Sequence, residues 1–264
     1  MLIICNGVFK SGSTWLHAII VEVLKINKIN LTDVPSKYTN NIDSPTTIVE
    51  SKFAKFLDNE NYIKGHYITK SHYYLDKTIM KDYDSYTYFF FVERDVRDAV
   101  VSHYYHLKKK FPLIRGFGSY YYFIGRLKAF EILEFNRRYE EGFGKDNFFK
   151  YSDIKNNFEA VVLKLSSILN LKDLSEEEIK IIKKNTSITK MRNDLSLGKT
   201  KYYSTVSGNR EGVIRKGIVG DWVNYFSIRQ QNDIKNIEEF KSLYLLRIVY
   251  FFVFTLRRLV FRIE

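Results

Sequence analysis

The chain has 264 residues, 45% of them hydrophobic, and a formal net charge of +12. This length and composition suffice to bury one sizeable core, so we expect a single domain over residues 1–264. Cys5 is the one cysteine, which excludes an intrachain disulfide and indicates a reducing compartment. The positive charge points to anionic partners: nucleotides, nucleic acid or acidic lipid.

The chain opens on a predicted strand that is followed directly by a predicted helix. Leu2–Val8 is a continuous apolar run, typical of a buried strand in a parallel sheet. It lacks the basic start and the length of a secretion signal, which favours a cytoplasmic protein. Apolar residues then recur at helical spacing from Trp15 to Leu24.

The turn between this strand and helix has the composition of an anion-binding loop. It reads Gly7, Val8, Phe9, Lys10, Ser11, Gly12, Ser13, Thr14, Trp15. Backbone amides at a helix start can surround a phosphate, and Lys10 adds a mobile positive charge. The lysine precedes the second glycine, whereas a Walker A loop ends in Gly-Lys-Ser/Thr, which disfavours a magnesium-dependent kinase. An ordinary turn capped by serine is the alternative.

Strands and helices alternate along the middle of the chain. We predict strands over Gly65–Thr69, Thr87–Val92 and Asn147–Tyr151, and helices over Asp95–Lys110, with Asp95 as its cap, and Gly118–Tyr139. Ser175 and Glu178 form a capping box before a further helix. This order predicts an α/β fold with a parallel sheet wrapped by helices.

A second basic motif, Glu93 to Tyr105, follows the strand Thr87–Val92. Arg94 would lie at the carboxyl end of that strand, where ligands of open α/β sheets bind. Arg94 and Ser102 could together hold one phosphate. The alternative is a helix with solvated ion pairs among the charged residues 95–98.

A third motif closes the glycine-rich, basic segment from Leu195 to Gly220. It reads Arg215, Lys216, Gly217, Ile218, Val219, Gly220, Asp221, Trp222. Adjacent arginine and lysine flanked by glycines can fold over a phosphate without steric cost. Taken alone, the motif is also compatible with a basic surface turn.

The C-terminal part of the chain is strongly apolar. Residues 243–261 are interrupted by Arg247, Arg257 and Arg258, so each apolar stretch is shorter than the roughly 20 residues of a spanning helix. We expect residues 241–264 to form a basic, apolar helix that packs on the core or on a partner chain. Peripheral contact with a membrane is the alternative.

In their order and spacing, the three motifs resemble the PAPS-dependent sulfotransferase family, over about residues 2–230. Residues 10–15 resemble its 5'-phosphosulfate loop, residues 94–102 its 3'-phosphate motif and residues 215–222 its C-terminal nucleotide signature. The resemblance implies a P-loop-like, three-layer fold. It also implies in-line transfer of a sulfuryl group from 3'-phosphoadenylyl sulfate (PAPS) to an acceptor hydroxyl or amine, without a metal.

The resemblance also assigns roles to residues around a catalytic base. Lys70, Ser71 and His72 resemble the Lys-Thr-His segment of the family, in which the histidine is the base. His72 would take the acceptor proton, while Lys10 and Lys70 would stabilise the bridging and sulfuryl oxygens. The family has prolines two residues after the histidine and just before the loop lysine.

The nucleotide-binding residues that the resemblance implies are Lys10, Ser11, Gly12, Ser13, Thr14, Trp15, Arg94, Ser102, Tyr151, Thr186, Ile188, Arg215, Lys216 and Gly217. Tyr151 would lie near the adenine, and Thr186 and Ile188 would line it. Ile188 replaces an aromatic residue of the family, so more of the stacking on the base would come from Trp15.

Two other functions stay open on the residues alone: a P-loop-like nucleotide kinase, or a non-catalytic basic protein that binds nucleotides or a membrane. The resemblance implies a small-molecule, carbohydrate or lipid-linked hydroxyl acceptor and no nucleic-acid partner. Acceptor-binding loops are expected at Leu31–Tyr62, Tyr73–Tyr86 and Phe111–Tyr122. Val223 and Asn232 stand where the dimer motif of the family has charged residues, so the oligomeric state stays open.

Overall fold

A computed structural model of the protein describes residues 1–39, 47–59, 63–74, 86–110, 114, 116–197, 214–239, 248, 249 and 252. Its centre is a parallel sheet with the strand order β2-β1-β3-β4. The strands are β1 (Leu2–Asn6), β2 (Tyr67–Ser71), β3 (Thr87–Glu93) and β4 (Phe148–Lys150). Every residue of β1 is buried, as expected of a strand with neighbours on both sides and helices on both faces.

Ten α-helices surround the sheet in the described part of the chain. They are α1 (Ser13–Ile26), α2 (Glu50–Leu57), α3 (Val96–Lys110), α4 (Phe117–Tyr120), α5 (Arg126–Phe143), α6 (Tyr151–Asn156), α7 (Phe158–Ile168), α8 (Glu176–Asn185), α9 (Ile188–Ser196) and α10 (Ile228–Glu238). Short 3₁₀ helices span Ser36–Tyr38, Lys145–Asn147 and Asp221–Asn224, and a π-helical turn spans Tyr121–Gly125.

The two faces of the sheet carry separate apolar cores. Leu2 and Ile4 of β1 pack with residues of α2, α3 and α5 on one face. Ile3 and Cys5 pack with α1, α7 and α8 on the other face. This division follows from the alternation of side chains along a strand. The predicted α/β fold, with a parallel sheet between two helical layers, is confirmed.

The predicted helix starts agree with the structure in two places. Ser175 and Glu178 form the expected capping box at α8, since each side chain bonds the other residue's backbone N–H. Asp95 accepts a hydrogen bond from the backbone N–H of Arg97 at 2.8 Å, so it caps α3 as predicted.

The predicted long helix Gly118–Tyr139 is present as one helical stretch, from Phe117 to Phe143, with a feature that the sequence did not predict. It consists of α4, the π-helical turn Tyr121–Gly125 and α5. The turn buries Tyr121 while Tyr122 and Phe123 are exposed. A Cβ atom on Gly125 would come within 3.3 Å of Tyr120, Tyr121 and Val100, so this turn packs closely against α3. Such close contacts with neighbouring elements are not visible in helical periodicity.

Strand boundaries differ by one or two residues from the sequence prediction. The first strand ends at Asn6 rather than Val8, because the chain turns at Gly7 to form the loop before α1. The second strand is shifted toward the carboxyl end, to Tyr67–Ser71. Tyr151, predicted as the end of a strand, instead begins α6.

The strand order creates a crevice between β1 and β3. The chain leaves β1 through α1 on one face of the sheet and leaves β3 through α3 on the other face. Ligands of open α/β sheets bind where consecutive connections diverge in this way, outside the carboxyl ends of the strands.

Several sequence predictions concern parts of the chain outside the described residues. They are most of the predicted C-terminal helix 241–264, residues 198–213 of the glycine-rich segment, and residues 40–46, 60–62, 75–85, 111–113 and 115 of the predicted acceptor loops. Among the helices that are described, none combines the length and the apolar character needed to cross a membrane.

Candidate active site

The carboxyl ends of all four strands contribute predicted site residues. The loop from Gly7 follows β1, and His72 follows β2. Arg94 follows β3, and Tyr151 follows β4. Because the strands are parallel, these residues lie at one edge of the sheet.

The loop between β1 and α1 depends on Gly12. Its backbone is in the left-handed region, with φ of 113°, and its carbonyl accepts the N–H of Trp15 at 2.8 Å. A Cβ atom at this position would lie 2.6 Å from the ring of Tyr151. Lys10 also has a positive φ of 75°, so the loop is sharply folded at two points. Glycine at position 12 therefore serves both the turn and the close approach of Tyr151.

A buried hydroxyl in the same loop fits an anion ligand. Ser11 is fully buried, and its Oγ atom has no hydrogen-bond partner among the described residues. Buried polar groups are nearly always hydrogen-bonded in native proteins. A phosphate or sulfate oxygen held by the loop would satisfy this hydroxyl.

Arg94 joins the three sequence motifs. Its Nη1 atom donates to the carbonyl of Lys10 at 3.2 Å, and its Nη2 atom donates to the carbonyl of Ile218 at 3.4 Å. The guanidinium lies 4.4 Å from the centre of the Tyr151 ring. Burial lowers the pKa of Arg94, although it stays a cation at any physiological pH. The loop, the second motif and the third motif therefore meet at one cation.

Asp98 holds the segment of residues 214–222, called here the Arg-Lys segment, against α3. Its carboxylate accepts the backbone N–H groups of Gly220 at 2.7 Å and Trp222 at 3.0 Å. The guanidinium of Arg97 stacks 3.6 Å from the centre of the Trp222 ring. Asp98 is 1% exposed, so it is not one of the solvated ion pairs considered from the sequence. Ser102 is buried one turn further on the same helical face as Asp98.

The two cations of the Arg-Lys segment share one carboxylate. Arg215 and Lys216 form ion pairs with Asp221 at 2.6 Å and 3.1 Å. The pKa of Asp221 is lowered: its burial alone would raise that pKa, but the ion pairs with Arg215 and Lys216 outweigh it. Arg215 is largely buried and Lys216 is half-exposed. Asp221 thus orients both cations before any ligand binds.

The residues predicted to line an adenine also lie together. Trp15 donates from Nε1 to the carbonyl of Thr186 at 2.9 Å, and its ring meets that of Tyr151 edge-on at 5.4 Å. Gly217 has φ of 68°, and a Cβ atom there would lie 2.0 Å from Ile188. Any larger residue at position 217 would clash with Ile188.

Arg192, which sequence reasoning did not place in the site, connects α9 to the Arg-Lys segment. Its Nε atom donates to the carbonyl of Ile214 at 3.2 Å, and its Nη2 atom donates to the carbonyl of Arg215. The sequence gives one indication of this role, since Arg192 stands in the segment that follows Thr186 and Ile188.

His72 has a defined tautomer. Its Nδ1 atom lies 2.5 Å from the carbonyl of Gly7. A carbonyl can only accept, so Nδ1 carries the hydrogen and Nε2 keeps its lone pair. Burial, together with the positive charge of Lys70, lowers the pKa of His72 to about 4. The imidazole is therefore neutral at neutral pH and can accept a proton at Nε2.

Lys70 reaches from β2 to the start of α1. Its Nζ atom donates to the Thr14 hydroxyl at 3.3 Å, and burial lowers its pKa to about 8. Cys5 is its direct neighbour on β1, and burial raises the pKa of that thiol. The Nζ atom of Lys10, on the other side of the loop, lies 5.8 Å from the centre of the Phe9 ring.

Asn6 is a site residue that sequence reasoning missed. Its Oδ1 atom accepts the Ser71 hydroxyl at 3.1 Å and the backbone N–H of Tyr73 at 2.9 Å, and its Nδ2 atom donates to the carbonyl of Tyr73 at 3.2 Å. These three bonds bracket His72 and set the direction of its backbone. The sequence did contain one indication, since Asn6 is a polar residue at the end of an otherwise apolar strand.

Phe9, which replaces a proline of the family, brings histidines together. Its ring meets those of His72, His103 and His106 at centre distances of 5.3, 5.9 and 4.8 Å. The described residues contain no group of three or more His, Cys, Asp or Glu side chains arranged to hold a metal ion.

Comparison with known proteins identifies relatives across most of the chain. A family model described as "Sulfotransferase domain" matches residues 2–244. Sulfotransferase 1E1 of Bos taurus is 28% identical over 229 residues, which are 83% of this chain and 76% of the bovine protein. An amine sulfotransferase of Oryctolagus cuniculus is 35% identical over 100 residues, 36% of this chain, and the match spans about a third (33%) of that relative.

Solved structures share the fold at low sequence identity. Mouse sulfotransferase SULT7A1 complexed with PAP gives a TM-score of 0.67 at 18% identity, over 96% of this chain and 88% of that chain. Retinol dehydratase in complex with androsterone and inactive cofactor PAP gives a TM-score of 0.58 at 15% identity, over 90% of this chain and 79% of that chain.

Proposed function

The chain belongs to the sulfotransferase domain family, and we propose that it transfers a sulfuryl group from PAPS to a hydroxyl or amine of a small acceptor molecule. The observation that carries this proposal is the position of Arg94, whose guanidinium bonds both the Lys10 carbonyl of the loop and the Ile218 carbonyl of the Arg-Lys segment. A cation that joins two anion-binding segments can hold a nucleotide with phosphates at both its 5' and 3' positions.

The donor would bind along the edge of the sheet. The loop amides with Lys10, Ser11, Ser13 and Thr14 take the 5'-phosphosulfate, which the unsatisfied, buried Ser11 hydroxyl supports. Residues Arg94, Ser102, Arg215, Lys216 and Gly217 take the 3'-phosphate. Residues Trp15, Tyr151, Thr186 and Ile188 surround the base. Binding energy from the phosphate and base then positions the sulfuryl group without taking part in the reaction.

His72 acts as the general base. The tautomer set by Gly7 leaves Nε2 able to take the acceptor proton, and the lowered pKa of His72 keeps the imidazole neutral at pH 7. The acceptor oxygen then attacks sulfur in line with the departing phosphate oxygen. The S–O bond to the phosphate breaks, and its electron pair stays on the nucleotide 3',5'-bisphosphate (PAP).

Lys70 and Lys10 stabilise the charge that develops in this step. Transfer of this kind passes through a loose transition state, with charge on the leaving oxygen and on the equatorial oxygens. Lys70 lies beside Thr14 at the start of α1, where an ammonium can reach the bridging oxygen. Fixed cations and loop amides aimed at this charge lower the barrier without reorganising.

An affinity experiment tests the donor site. We expect the protein to bind an immobilised 3',5'-bisphosphate nucleotide and to be eluted by free PAP at constant salt. Elution by salt alone would contradict the proposal, because a non-specific basic protein loses its affinity as counterions compete.

A substitution tests the base. His72→Ala should reduce transfer by at least about a hundredfold, since general-base catalysis is typically of this size, and should leave the Kd for PAP nearly unchanged. Initial rates with labelled PAPS and calorimetry with PAP give the two quantities. Loss of PAP binding in the variant would contradict the role of His72.

We propose the cytoplasm as the place of action. The single cysteine supports this, because Cys5 is buried beside Lys70 and its pKa is raised, so it is an inert thiol in a chain without disulfides. We also keep the proposals of one domain over residues 1–264 and of a C-terminal helix that packs on the core or on a partner chain, with peripheral membrane contact as its alternative.

A further inference from the structure

A buried ion pair that the proposed transfer does not use lies in the first two turns of α5. Lys128 and Glu131 approach to 2.5 Å between Nζ and Oε2, and their side chains are 6% and 13% exposed. The hydroxyl of Tyr74 donates to the other carboxylate oxygen of Glu131 at 3.0 Å. We call Tyr74, Lys128 and Glu131 the polar wall.

The polar wall is linked to the chain segment that directly follows His72. Tyr74 is two residues beyond the histidine, and Tyr139 of α5 donates from its hydroxyl to the Tyr73 carbonyl at 2.5 Å, which holds this segment against α5. Burial and the charge of Lys70 account for most of the lowered pKa of His72, and Lys128 and Glu131 contribute to it with opposite signs. The Nδ1 atom of the His72 ring bonds the carbonyl of Gly7, so an acceptor reaches the ring at Nε2, and Phe9 packs edge-on against the same ring.

Stability of the core does not by itself explain this buried ion pair. Desolvation of two charges offsets most of their attraction, and replacement of a buried pair by apolar residues is often neutral or stabilising. The pair has no net charge, but an ammonium has three donors and a carboxylate has about four acceptor positions.

These properties indicate what the acceptor presents to the wall. A phenol or a steroid has one or two polar groups and would make at most one or two hydrogen bonds with this pair. A pair without net charge gives no electrostatic preference for a charged acceptor. A neutral molecule with several adjacent hydroxyls both donates and accepts, and so matches both partners.

We propose that the acceptor is a polyhydroxylated, carbohydrate-like molecule, and that Lys128 and Glu131 bind hydroxyls adjacent to the one that His72 deprotonates. The proposal rests on the sulfuryl transfer described above and names its acceptor class. Phe9 supplies apolar surface beside the histidine, because its ring meets that of His72 edge-on.

The test compares two acceptors that differ only in the sugar: octyl glucoside, below its micelle concentration, and 1-octanol. Calorimetry of the protein saturated with PAP measures their affinities, and initial rates with PAPS measure kcat/KM for each. We expect the glucoside to bind at least about tenfold more tightly and to show the higher kcat/KM, since one satisfied hydrogen bond accounts for a factor of this size. Equal or tighter binding of 1-octanol would overturn the proposal.

Substitutions test whether Glu131 is responsible for the preference for the glucoside. Glu131→Gln should weaken glucoside binding by about tenfold and change octanol binding by less than about twofold. Glu134→Gln is the matched control, because Glu134 lies one turn along α5 in an ion pair with the half-exposed Arg137; both affinities should stay as in the wild type. An equal loss for both acceptors in Glu131→Gln would contradict recognition of the sugar.

A double variant separates recognition from folding. Lys128→Met with Glu131→Leu replaces the pair by apolar residues of similar volume and leaves no unpaired charge, so the variant should still unfold in one cooperative thermal transition. It should lose the preference for the glucoside, and a preserved preference would overturn the proposal. Failure of PAP to bind the wild type would contradict sulfuryl transfer, whereas preference for octanol in a protein that binds PAP contradicts the acceptor class alone.

Discussion

Burial lowers the pKa of two neighbouring residues, His72 and Lys70, and so favours the neutral form of each. The pKa of His72 falls to about 4 and that of Lys70 to about 8. In the proposed mechanism His72 must be neutral to accept a proton, which holds above its pKa. Lys70 must be charged to stabilise the leaving oxygen, which holds below its pKa. The protonation state that the proposal requires therefore spans pH values from about 4 to about 8.

We expect kcat/KM for PAPS to fall above about pH 8, because this quantity reports the protonation of the unliganded enzyme. Lys70→Arg keeps the charge at high pH and should abolish that alkaline limb. This holds even if the pH-independent value of kcat/KM in the variant is lower than in the wild type. Rates measured from pH 5 to 10 in both proteins decide this. An alkaline limb that stays near pH 8 in Lys70→Arg would exclude Lys70 as the titrating group.

His17 in α1 gives a second prediction at this scale. It is fully buried, neither ring nitrogen has a hydrogen-bond partner within the described residues, and burial lowers its pKa to about 3. The unfolded chain binds a proton at this position below about pH 6.5, and the folded chain does so only below about pH 3. Stability therefore falls as the pH drops below 6.5, by about 2 kcal/mol at pH 5.

His17→Leu removes this proton uptake and fills a similar volume. The drop in Tm between pH 7 and pH 5 should therefore be smaller in the variant, by roughly 5 °C for a chain of this size. Other groups titrate alike in both proteins and cancel in the comparison. An identical pH dependence of Tm in the two proteins would show that His17 finds a partner in solution.

Single residues explain why the sequence predicted some of the site and missed the rest. Lys10, Arg94 and Arg215 are cations in recognisable motifs, and a cation near glycines indicates an anion. Asn6 and Asp98 act on backbone groups far away in the chain, Asn6 on Tyr73 and Asp98 on Gly220. A pattern of residue types does not contain such long-range pairs. The assigned roles of the cations themselves stay predictions.

At the scale of elements, helix α3 holds the Arg-Lys segment through the side chain of Asp98. Asp98 accepts two backbone N–H groups of that segment and should keep Arg215 oriented without touching the nucleotide. In Asp98→Asn one oxygen becomes an NH₂ group, which faces a backbone N–H and repels it. The Arg-Lys segment should then lose one of its two hydrogen bonds to α3.

We expect Asp98→Asn to raise the KM for PAPS and the Kd for PAP by about tenfold, with kcat within about twofold of the wild type. Asp95→Asn is the matched control, since asparagine caps a helix about as well as aspartate. A fall in kcat at unchanged KM would instead place Asp98 in the chemical step.

The helices show where periodicity stops being informative. Residues 118–139 have the spacing of one amphipathic helix, yet the chain inserts a π-helical turn at Tyr121–Gly125. Tyr121 bonds Asp233 of α10 through its hydroxyl at 2.6 Å, so this turn is fixed by an element more than 100 residues away. The local pattern predicted the helix, whereas the π-helical turn within it depends on a tertiary contact.

At the scale of the whole molecule, the sequence predicted a parallel sheet but not its strand order. Alternation of strands and helices requires crossover connections and so parallel strands. The order β2-β1-β3-β4 depends on which strand pairs with which, and buried strands of similar composition do not specify this. The order nevertheless matters, because it places the crevice between β1 and β3 beside the loop and Arg94.

Because segments from both ends of the described chain meet at this crevice, a bound nucleotide should stabilise the entire fold. At about 100 times its Kd, PAP should add about 2.7 kcal/mol, which corresponds to a rise in Tm of roughly 5–10 °C. Arg94→Ala should lose most of this rise relative to its own unliganded Tm. Arg137→Ala, in an exposed pair on α5, should keep it. A full rise in Arg94→Ala would contradict the role of Arg94 in holding the nucleotide.

The chain has two tryptophans, Trp15 and Trp222. Trp15 begins the helix after the loop and lies against Tyr151, and Trp222 lies in the Arg-Lys segment under the guanidinium of Arg97. The indole fluorescence of the protein therefore comes only from the loop side and the Arg-Lys side of the crevice that we propose for the nucleotide. Binding of a nucleotide there should change the tryptophan emission, so it can be followed without a dye or a label.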